Sequence, residues 1–339
     1  MRLDSILTRR SLLPLATVLL IGAGCGEPKK AADGTAGGSA PAGAPVVAVI
    51  PKGLTHVFWQ SVKKGAEKAG TEFGVQIKWD GPQRESDTSG QITVVENAIT
   101  SKVDGIVLAP LDKAALVNVV KKANEAKIPV AIFDSAIDLP DTEYLSYVAT
   151  DNKKGGQLAA DRMGEILGGK GTVVVVPNQA NSASTMDREE GFESRMKEKY
   201  PEIKLVRSNY CNSDRATALK VIEDALTANP GAAGVFGSCE PSAVGALQAI
   251  KNRNLAGKVK VIGFDITDQL EDAVVAGTLD SLVIQNPEKM GYEGVKAIVD
   301  AKGGKTVAKV VDTGVVLMTK DNMETPDVKA VRPPRGKMN

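Results

Sequence analysis

The distribution of apolar and polar residues divides the chain, from residue 46 onward, into short and long segments that alternate. Short runs rich in β-branched residues predict strands, and longer runs with helical spacing predict helices. The predicted strands are Val46–Ile50, Val75–Trp79, Gly105–Leu108, Pro129–Phe133, Leu145–Ala149, Thr172–Val176, Lys204–Ser208, Gly234–Gly237, Lys258–Phe264 and Ser281–Gln285. The predicted helices are Phe58–Phe73, Gln91–Ser101, Ala114–Ala126, Lys154–Leu167, Arg188–Lys197, Ala216–Thr227 and Ser242–Lys251.

This alternation predicts an α/β fold of doubly wound parallel sheets with helices on both faces. The predicted strands are almost wholly apolar, as sheets covered on both faces require. Ten strands are many for one compact sheet, and the pattern restarts near Thr172, so we predict two doubly wound domains joined near Ala149–Asn152. In such sheets, ligands bind beyond the carboxyl ends of the strands.

Two of the predicted strands end in an acid. The stretches "IPVAIFDS" and "VKVIGFD" place Asp134 and Asp265 directly after apolar runs. A buried ionised Asp is costly unless it is paired, so both acids are expected to face a shared cleft. Two simpler roles stay open: Asp265 could cap a helix starting near Thr267, and Asp134 could stabilise a turn.

The first 25 residues have the pattern of an export signal. Three arginines precede an apolar stretch, 12–21, which is too short to span a membrane as a mature helix, and small residues then precede Cys25. Cys25 in this position resembles the lipidated Cys of a bacterial lipobox, although Gly22 stands where Leu is usual. The paired arginines fit either a twin-arginine signal or an ordinary signal.

Residues 26–45 are rich in Gly, Ala, Pro and Ser and predict a flexible linker. No later segment approaches 18 uninterrupted apolar residues, the length expected of a membrane span. Cys211 and Cys239 remain in the folded body. Export permits a disulfide between them, and two free thiols are the alternative.

Composition narrows the class of protein. The chain has 42 basic and 41 acidic residues, and this balance gives no support for nucleic-acid binding. One histidine excludes a His-rich metal site, and no cofactor or metal is expected. Nucleophile-elbow, P-loop and dinucleotide motifs are absent, and Cys239 has no available His partner, so an enzyme is the less favoured class.

Recognition of a sugar is better supported. Aromatics are 4% of the chain, yet Phe58 and Trp59 lie together after the first predicted strand. Aromatic rings and charged hydrogen-bonding groups suit the two faces and the rim of a sugar, although one ring could instead cover the core. Arg188 could donate hydrogen bonds that bridge ligand oxygens and carboxylates, or it could form a surface ion pair with a neighbouring Glu. Gln285 ends the strand "SLVIQ".

Together these segments resemble the periplasmic sugar-binding proteins of the ribose-binding type, the substrate carriers of ABC importers. The resemblance covers residues 46–316. It is carried by the motifs "FWQSVKKGAEKAG", "DGIVLAPLDKAAL", "AKIPVAIFDS", "ATDNKKGGQLAA", "DREEGF", "VKVIGFD" and "VIQNPEKMGYEGV", which keep their order.

The resemblance implies a set of ligand-binding residues. These are His56, Phe58, Trp59, Asp134, Arg188, Asp265 and Gln285, with Ala109, Ser135, Ser213 and Cys239 as weaker candidates. His56, Ala109 and Cys239 stand where the ribose binders have Asn, and Ser135 stands where they have Arg. A third aromatic is missing near Ser213. These departures favour a ligand other than ribose, or a looser pocket.

The resemblance also implies a hinge with three crossings, near Ala149–Asp151, Gln285–Asn286 and Asp312–Val316. The first lobe would then comprise residues 46–149 and 286–312, the second 150–285 and 313–330, with a tail at 331–339. The helix Met290–Asp300 would belong to the first lobe. Hinge closure around the ligand follows from such an architecture.

The sequence therefore predicts a monomeric carrier, in the periplasm or at the cell surface, anchored by a lipid on Cys25. It would deliver a small sugar or polyol to an ABC permease with its ATPase. A sensor of the same fold, docking on a chemoreceptor or sensor kinase, is the alternative. A DNA-binding repressor is disfavoured because the N-terminus is a leader.

Overall fold

The computed structural model describes residues 43–333 and residue 336. The strands are β1 (Val46–Ile50), β2 (Gln76–Trp79), β3 (Gly105–Leu108), β4 (Val130–Phe133), β5 (Tyr147–Ala149), β6 (Gly171–Val176), β7 (Ile203–Arg207), β8 (Ala232–Gly237), β9 (Lys260–Phe264), β10 (Ser281–Gln285), β11 (Val310–Asp312) and β12 (Val315–Thr319). The helices are α1 (Val57–Phe73), α2 (Thr88–Thr100), α3 (Val117–Glu125), α4 (Asn152–Ile166), α5 (Ala183–Lys199), α6 (Arg215–Ala228), α7 (Glu240–Asn252), α8 (Asp268–Val275), α9 (Pro287–Lys302) and α10 (Pro326–Val331). The predicted signal peptide, Cys25 and most of the linker lie outside this range.

The strands form two six-stranded sheets, and the predicted fold class is confirmed. The first sheet has the order β11-β5-β4-β3-β1-β2, and the second has the order β12-β10-β9-β8-β6-β7. Every pair in the first sheet is parallel. Helices cover both faces of each sheet, which explains why β3 and β4 are buried throughout.

One strand departs from the predicted parallel arrangement, because β12 pairs antiparallel with β10. Val315 opens β12 opposite Gln285, the last residue of β10. The preceding strand, β11, belongs to the first sheet, so the chain enters the second sheet at its carboxyl edge and must run backwards along β10. The strand β12 was not among the strands predicted from periodicity.

The chain passes between the two sheets three times in the described range. It leaves the first sheet after β5, returns between β10 and α9, and leaves again between β11 and β12. Helix α9 packs on α1 and on the first sheet, whereas α4 packs on α5 and on the second. We call the body around the first sheet the first lobe and the body around the second sheet the second lobe.

Several helices begin earlier in the structure than the sequence pattern predicts. Arg188 was expected to open a helix, but α5 begins at Ala183, so Arg188 lies in its second turn. The alternative in which Asp265 caps a helix near Thr267 is also wrong, because the Thr267 side chain accepts from the backbone N–H of Leu270 and caps α8. Cys211 and Cys239 are buried free thiols, so no disulfide joins them.

In each lobe, two helices contact through a pair of glycines. A Cβ added at Gly156 or Gly191 would lie 2.0 and 2.1 Å from carbonyl oxygens of α5 and α4, respectively. In the first lobe, Gly65 and Gly291 make the same kind of contact between α1 and α9. These contacts leave no room for a methyl group, so the glycines fix how closely the helices approach.

We expect Gly191→Ala to lower the free energy of unfolding by about 1–3 kcal/mol, because the added methyl forces α4 and α5 apart. Urea denaturation of the protein would measure this change. Gly231→Ala is the matched control, since a Cβ at Gly231 meets nothing within 4 Å, and it should change the free energy by less than about 0.5 kcal/mol. Equal effects of the two substitutions would contradict the packing argument.

Candidate ligand-binding cleft between the lobes

The carboxyl ends of the strands in the two sheets face a common cleft. Direct hydrogen bonds join the lobes across it, so the lobes are closed: Asn181 Nδ2 donates to Asp112 Oδ2 at 3.1 Å, and the Ser184 backbone N–H donates to Ser135 Oγ at 3.1 Å. A cavity remains inside the closed cleft. It is lined by Lys52, His56, Phe58, Trp59, Glu85, Asp134, Asn178, Ser184, Thr185, Arg188, Ser213, Cys239, Glu240, Pro241, Asp265 and Gln285.

Asp134 and Asp265 occupy equivalent places in the two lobes. Each follows a Phe that ends a strand, and each has a positive φ, 58° for Asp134 and 69° for Asp265. Each backbone N–H still donates to the next strand, to Val148 O and Val283 O. Asp tolerates the left-handed region better than most residues, so this turn ends the strand and leaves both acids at the cleft.

Lys52 holds the carboxylate of Asp134. Its Nζ lies 2.9 Å from Asp134 Oδ2, and both side chains are buried. The same Nζ donates across the cleft to Ser184 Oγ at 2.8 Å and to Ser182 Oγ at 3.2 Å. The lysine therefore compensates the acid of the first lobe and contacts the start of α5 in the second.

Asp265 lies within a denser network. Its Oδ1 accepts from Gln285 Nε2 at 2.6 Å, its Oδ2 accepts from the backbone N–H of Glu240 at 3.0 Å, and Arg188 Nη1 is 3.8 Å from Oδ2. Burial nevertheless raises the pKa of Asp265, against the opposing charge of Arg188. The acid is thus desolvated but not unpaired.

Arg188 is held from three sides. Its Nε donates to Asn152 Oδ1 at 2.8 Å, and its Nη1 donates to Ser238 O at 3.1 Å. Its guanidinium carbon lies 3.9 Å from the centre of the Phe264 ring. Arg188 is 3% exposed, so the alternative of a surface ion pair is wrong.

Glu85 was not predicted, yet it organises the first lobe's side of the cavity. His56 Nδ1 and Trp59 Nε1 both donate to Glu85 Oε1 at 2.7 Å, and Ser213 Oγ of the second lobe donates to Oε2 at 3.0 Å. Burial lowers the pKa of His56, but the hydrogen bond and charge of Glu85 outweigh it and raise that pKa to about 9. Burial likewise raises the pKa of Glu85, and His56 outweighs it and lowers that pKa to about 2.

The two aromatics meet edge to face, not side by side. The rings of Phe58 and Trp59 are 4.8 Å apart at 87°, and Trp59 also packs edge to face on Phe133 at 6.1 Å. Trp59 is 3% exposed and belongs to the core of the first lobe, whereas Phe58 is half-buried. Because the rings are perpendicular, only one of them can lie flat against a given face of a ligand.

The cleft brings together all seven of the main residues expected from the sequence, along with Ser213 and Cys239. Two weaker candidates, Ala109 and Ser135, are not part of the cavity wall. The Ala109 methyl is fully buried in the core, and Ser135 Oγ accepts from the Ser184 backbone. Both residues follow the ends of strands, but their side chains contact other parts of the protein and do not line the cavity.

The sequence interpretation missed several lining residues, chiefly Lys52, Glu85 and Glu240. Lys52 comes two residues after β1, so the rule that located Asp134 and Asp265 would also have located it. Glu240 adjoins Cys239 and opens α7. Glu85 lies in the loop after β2, where no pattern marked it.

The wall is close to charge balance. Lys52, His56 and Arg188 face four carboxylates, Glu85, Asp134, Glu240 and Asp265, and Glu240 is paired with Arg215 outside the cavity. No cluster of three or more His, Cys, Asp or Glu residues suited to a metal ion occurs within residues 43–333. Nor does any helix of that range have the length and apolar content to cross a membrane.

Comparisons with known proteins agree with this geometry. Residues 47–306 match the family described as periplasmic binding protein domain. The D-allose-binding periplasmic protein of Escherichia coli is 32% identical over 77% of this chain and 86% of its own. An ABC transporter solute-binding protein from Agrobacterium vitis, solved with bound D-fucose, is 41% identical with a TM-score of 0.82, covering 84% of this chain and 99% of its own.

A carbohydrate transporter solute-binding protein from Agrobacterium radiobacter, solved with D-arabinose, is also similar. It is 37% identical with a TM-score of 0.82 and covers 85% of this chain and 98% of its own. The similarity therefore extends over both lobes and not over one sheet alone.

We expect Lys52→Met to lower the free energy of unfolding by about 3–5 kcal/mol, because it leaves Asp134 buried without its cation. Urea denaturation at pH 7 would measure the change. Lys63→Met is the control, since Lys63 is exposed and 3.6 Å from Glu67, and it should change little. Adding Asp134→Leu to Lys52→Met should recover much of the loss, and no recovery would show that the ion pair is not the cause.

The His56–Glu85 pair predicts a pH dependence of stability. Compared with a His56→Asn variant, the wild type should keep its full advantage from pH 4.5 to pH 6.5, the ordinary pKa of histidine, and lose it as pH rises through about 9. The loss should be on the order of 3 kcal/mol. At low pH, the advantage over Glu85→Gln should disappear between pH 4.5 and about 2.

His56 is the only histidine in the sequence, so an NMR titration of imidazole resonances reports its pKa without overlap. A midpoint near 6.5 in the folded protein, or a stability advantage that does not change between pH 6 and pH 10, would contradict the assignment of a charged His56.

Proposed function

We propose a function from the premise that this chain belongs to the periplasmic binding protein domain family, a family of transporter substrate-binding proteins and not of enzymes. The chain is the substrate-binding component of an ABC importer, and it binds a small sugar or sugar-like polyol between its lobes. The observation that carries this proposal is the pair Asp134 and Asp265, which present compensated carboxylates from opposite lobes to one cavity beside an aromatic wall.

The chemistry of the cavity supports a neutral, hydroxyl-rich ligand. Carboxylate oxygens accept hydrogen bonds from hydroxyl groups, while Lys52, His56 and Arg188 can donate to hydroxyl oxygens. A hydrogen bond to a charged group contributes about 1.5–3 kcal/mol. A ligand with strong net charge would meet like charges on the wall, since both cations and acids line it.

The relatives support the same class of ligand. The protein from E. coli is named for D-allose, and the two Agrobacterium structures hold D-fucose and D-arabinose. We therefore propose His56, Phe58, Trp59, Asp134, Arg188, Asp265 and Gln285 as ligand contacts, and add Lys52. Of the weaker candidates, Ser213 and Cys239 remain proposed lining residues.

We also propose that the protein works in the cell envelope. The mature protein is periplasmic, and a lipid on Cys25 anchors it to a membrane through the linker of residues 26–45. An ABC permease with its ATPase receives the ligand from the closed form. The first lobe comprises residues 46–149 and 286–312, and the second 150–285 and 313–330.

The experiment is a binding titration with D-allose, D-ribose, D-fucose, D-arabinose and D-glucose, with glycerol as a small polyol. Trp79→Phe leaves Trp59 as the one tryptophan, so a change of fluorescence reports the cavity wall. At least one monosaccharide should bind with a saturable signal, and isothermal calorimetry should give the same Kd.

Asp134→Asn and Asp265→Asn should each weaken that sugar by about tenfold to a hundredfold, because a charged acceptor becomes a neutral amide. Asp138→Asn, on an exposed acid of the first lobe, is the control and should leave Kd unchanged. Saturable binding of a charged metabolite, with no response to any of the sugars, would overturn the proposal.

A further inference from the structure

Glu240 is a buried carboxylate on the cavity wall for which the proposed contacts give no role. It is the first residue of α7 and is 2% exposed. Its Oε1 accepts from Arg215, whereas its Oε2 takes no hydrogen bond from any described part of the protein. A buried acceptor without a donor costs about 1–3 kcal/mol, so such an atom on the wall of a cavity calls for a donor from outside the folded chain.

A second acceptor in the same condition lies on the same wall. Gln285 Oε1 is buried and takes no hydrogen bond within residues 43–333, while Gln285 Nε2 donates to Asp265 Oδ1 at 2.6 Å. That bond fixes the orientation of the amide, since the reverse orientation would place two acceptors against each other. The free oxygen of Gln285 is therefore a consequence of its contact with Asp265.

These two residues connect the main cavity with a smaller one beside it. Glu240, Gln285, Phe58 and Asp265 line both, and the smaller cavity extends between Val57 in the first lobe and Ile266 in the second. A ligand in the main cavity therefore lies against a wall to which both Glu240 and Gln285 belong.

We propose that Glu240 is a specificity-determining residue that accepts a hydrogen bond from one hydroxyl group of the bound sugar through Oε2. This inference rests on the proposed function and adds a recognition element to the same site. Arg215 already compensates the charge of Glu240, so the free oxygen requires a neutral donor and not a second cation. Ligands that lack the hydroxyl leave the oxygen unpaired and are rejected.

The test combines changes in the ligand with changes in the protein. The probes are the monosaccharide of the panel that binds most tightly and its complete set of monodeoxy analogues, each titrated by calorimetry against wild type and Glu240→Ala. In the wild type, removal of the recognised hydroxyl should weaken binding by about 10- to 150-fold, as expected for a hydrogen bond to a charged group.

In Glu240→Ala, the deoxy analogue that lacks the recognised hydroxyl should bind about as tightly as the parent sugar. The other deoxy analogues should still bind more weakly than the parent, as they do in the wild type. Asp265→Asn is a positive control and should reduce the penalty at a different position. Arg215→Met removes the same ion pair but keeps the Glu240 oxygen, so its penalty at the Glu240 position should remain. This control separates the loss of the oxygen from the loss of the salt bridge.

If Glu240→Ala does not fold, Glu240→Gln keeps the shape of the side chain and should reduce the penalty to about tenfold or less, the value for a neutral hydrogen bond. Unchanged penalties at every position in the variant would overturn the role of Glu240 and leave sugar binding intact. An amino-sugar analogue that binds more tightly than its parent, only when Glu240 is present, would also overturn it. Absence of sugar binding by the wild type would refute the proposed function itself, and this inference with it.

Discussion

The structure depends on the burial of two carboxylates at the facing edges of two sheets. Ionised acids in such a place require opposite charge and hydrogen bonds. Asp134 obtains both from Lys52, and Asp265 obtains them from Arg188, Gln285 and the start of α7. These partners lie on different segments: Lys52 follows β1, Gln285 ends β10 and Arg188 lies in α5. The contacts that compensate the two acids therefore also hold these segments together at the cleft.

The helix starts contribute in a further way. Helices α1, α5 and α7 each begin at the cleft, next to His56, Ser184 and Glu240. The N-terminus of a helix carries partial positive charge and free N–H groups. The acids therefore lie where the backbone itself favours negative charge, and the backbone N–H of Glu240 donates directly to Asp265. A cavity of this kind suits a ligand that exchanges many hydrogen bonds without bringing net charge.

The sequence was sufficient for the fold class and for much of the cleft, because both follow from where apolar runs end. Asp134 and Asp265 were found in this way, and Lys52 obeys the same rule although it was overlooked. Glu85 could not have been found from periodicity, since its contacts with His56 and Ser213 depend on loop geometry and on the closeness of the lobes. The perpendicular rings of Phe58 and Trp59 also escaped prediction, because packing on Phe133 and the bond to Glu85 set the orientation of the indole.

The contacts across the cleft bear on how a ligand controls closure. Lys52 and Asp134 belong to the same lobe, so their ion pair does not need closure, whereas the bonds from Lys52 to Ser182 and Ser184 do. Closure adds the bond from Ser213 to Glu85 in the same way. In an open cleft the same groups bond to water, so each such hydrogen bond contributes a net of about 0.5–1.5 kcal/mol, and roughly 1.5–3 kcal/mol where one group is charged. To shift the ratio of closed to open protein from 1:99 to 99:1, a ligand must favour the closed form by about 5.5 kcal/mol. A ligand that contacts both the Lys52–Asp134 pair and the Asp265–Arg188 network can supply this difference. It touches both lobes at once only when the cleft is closed.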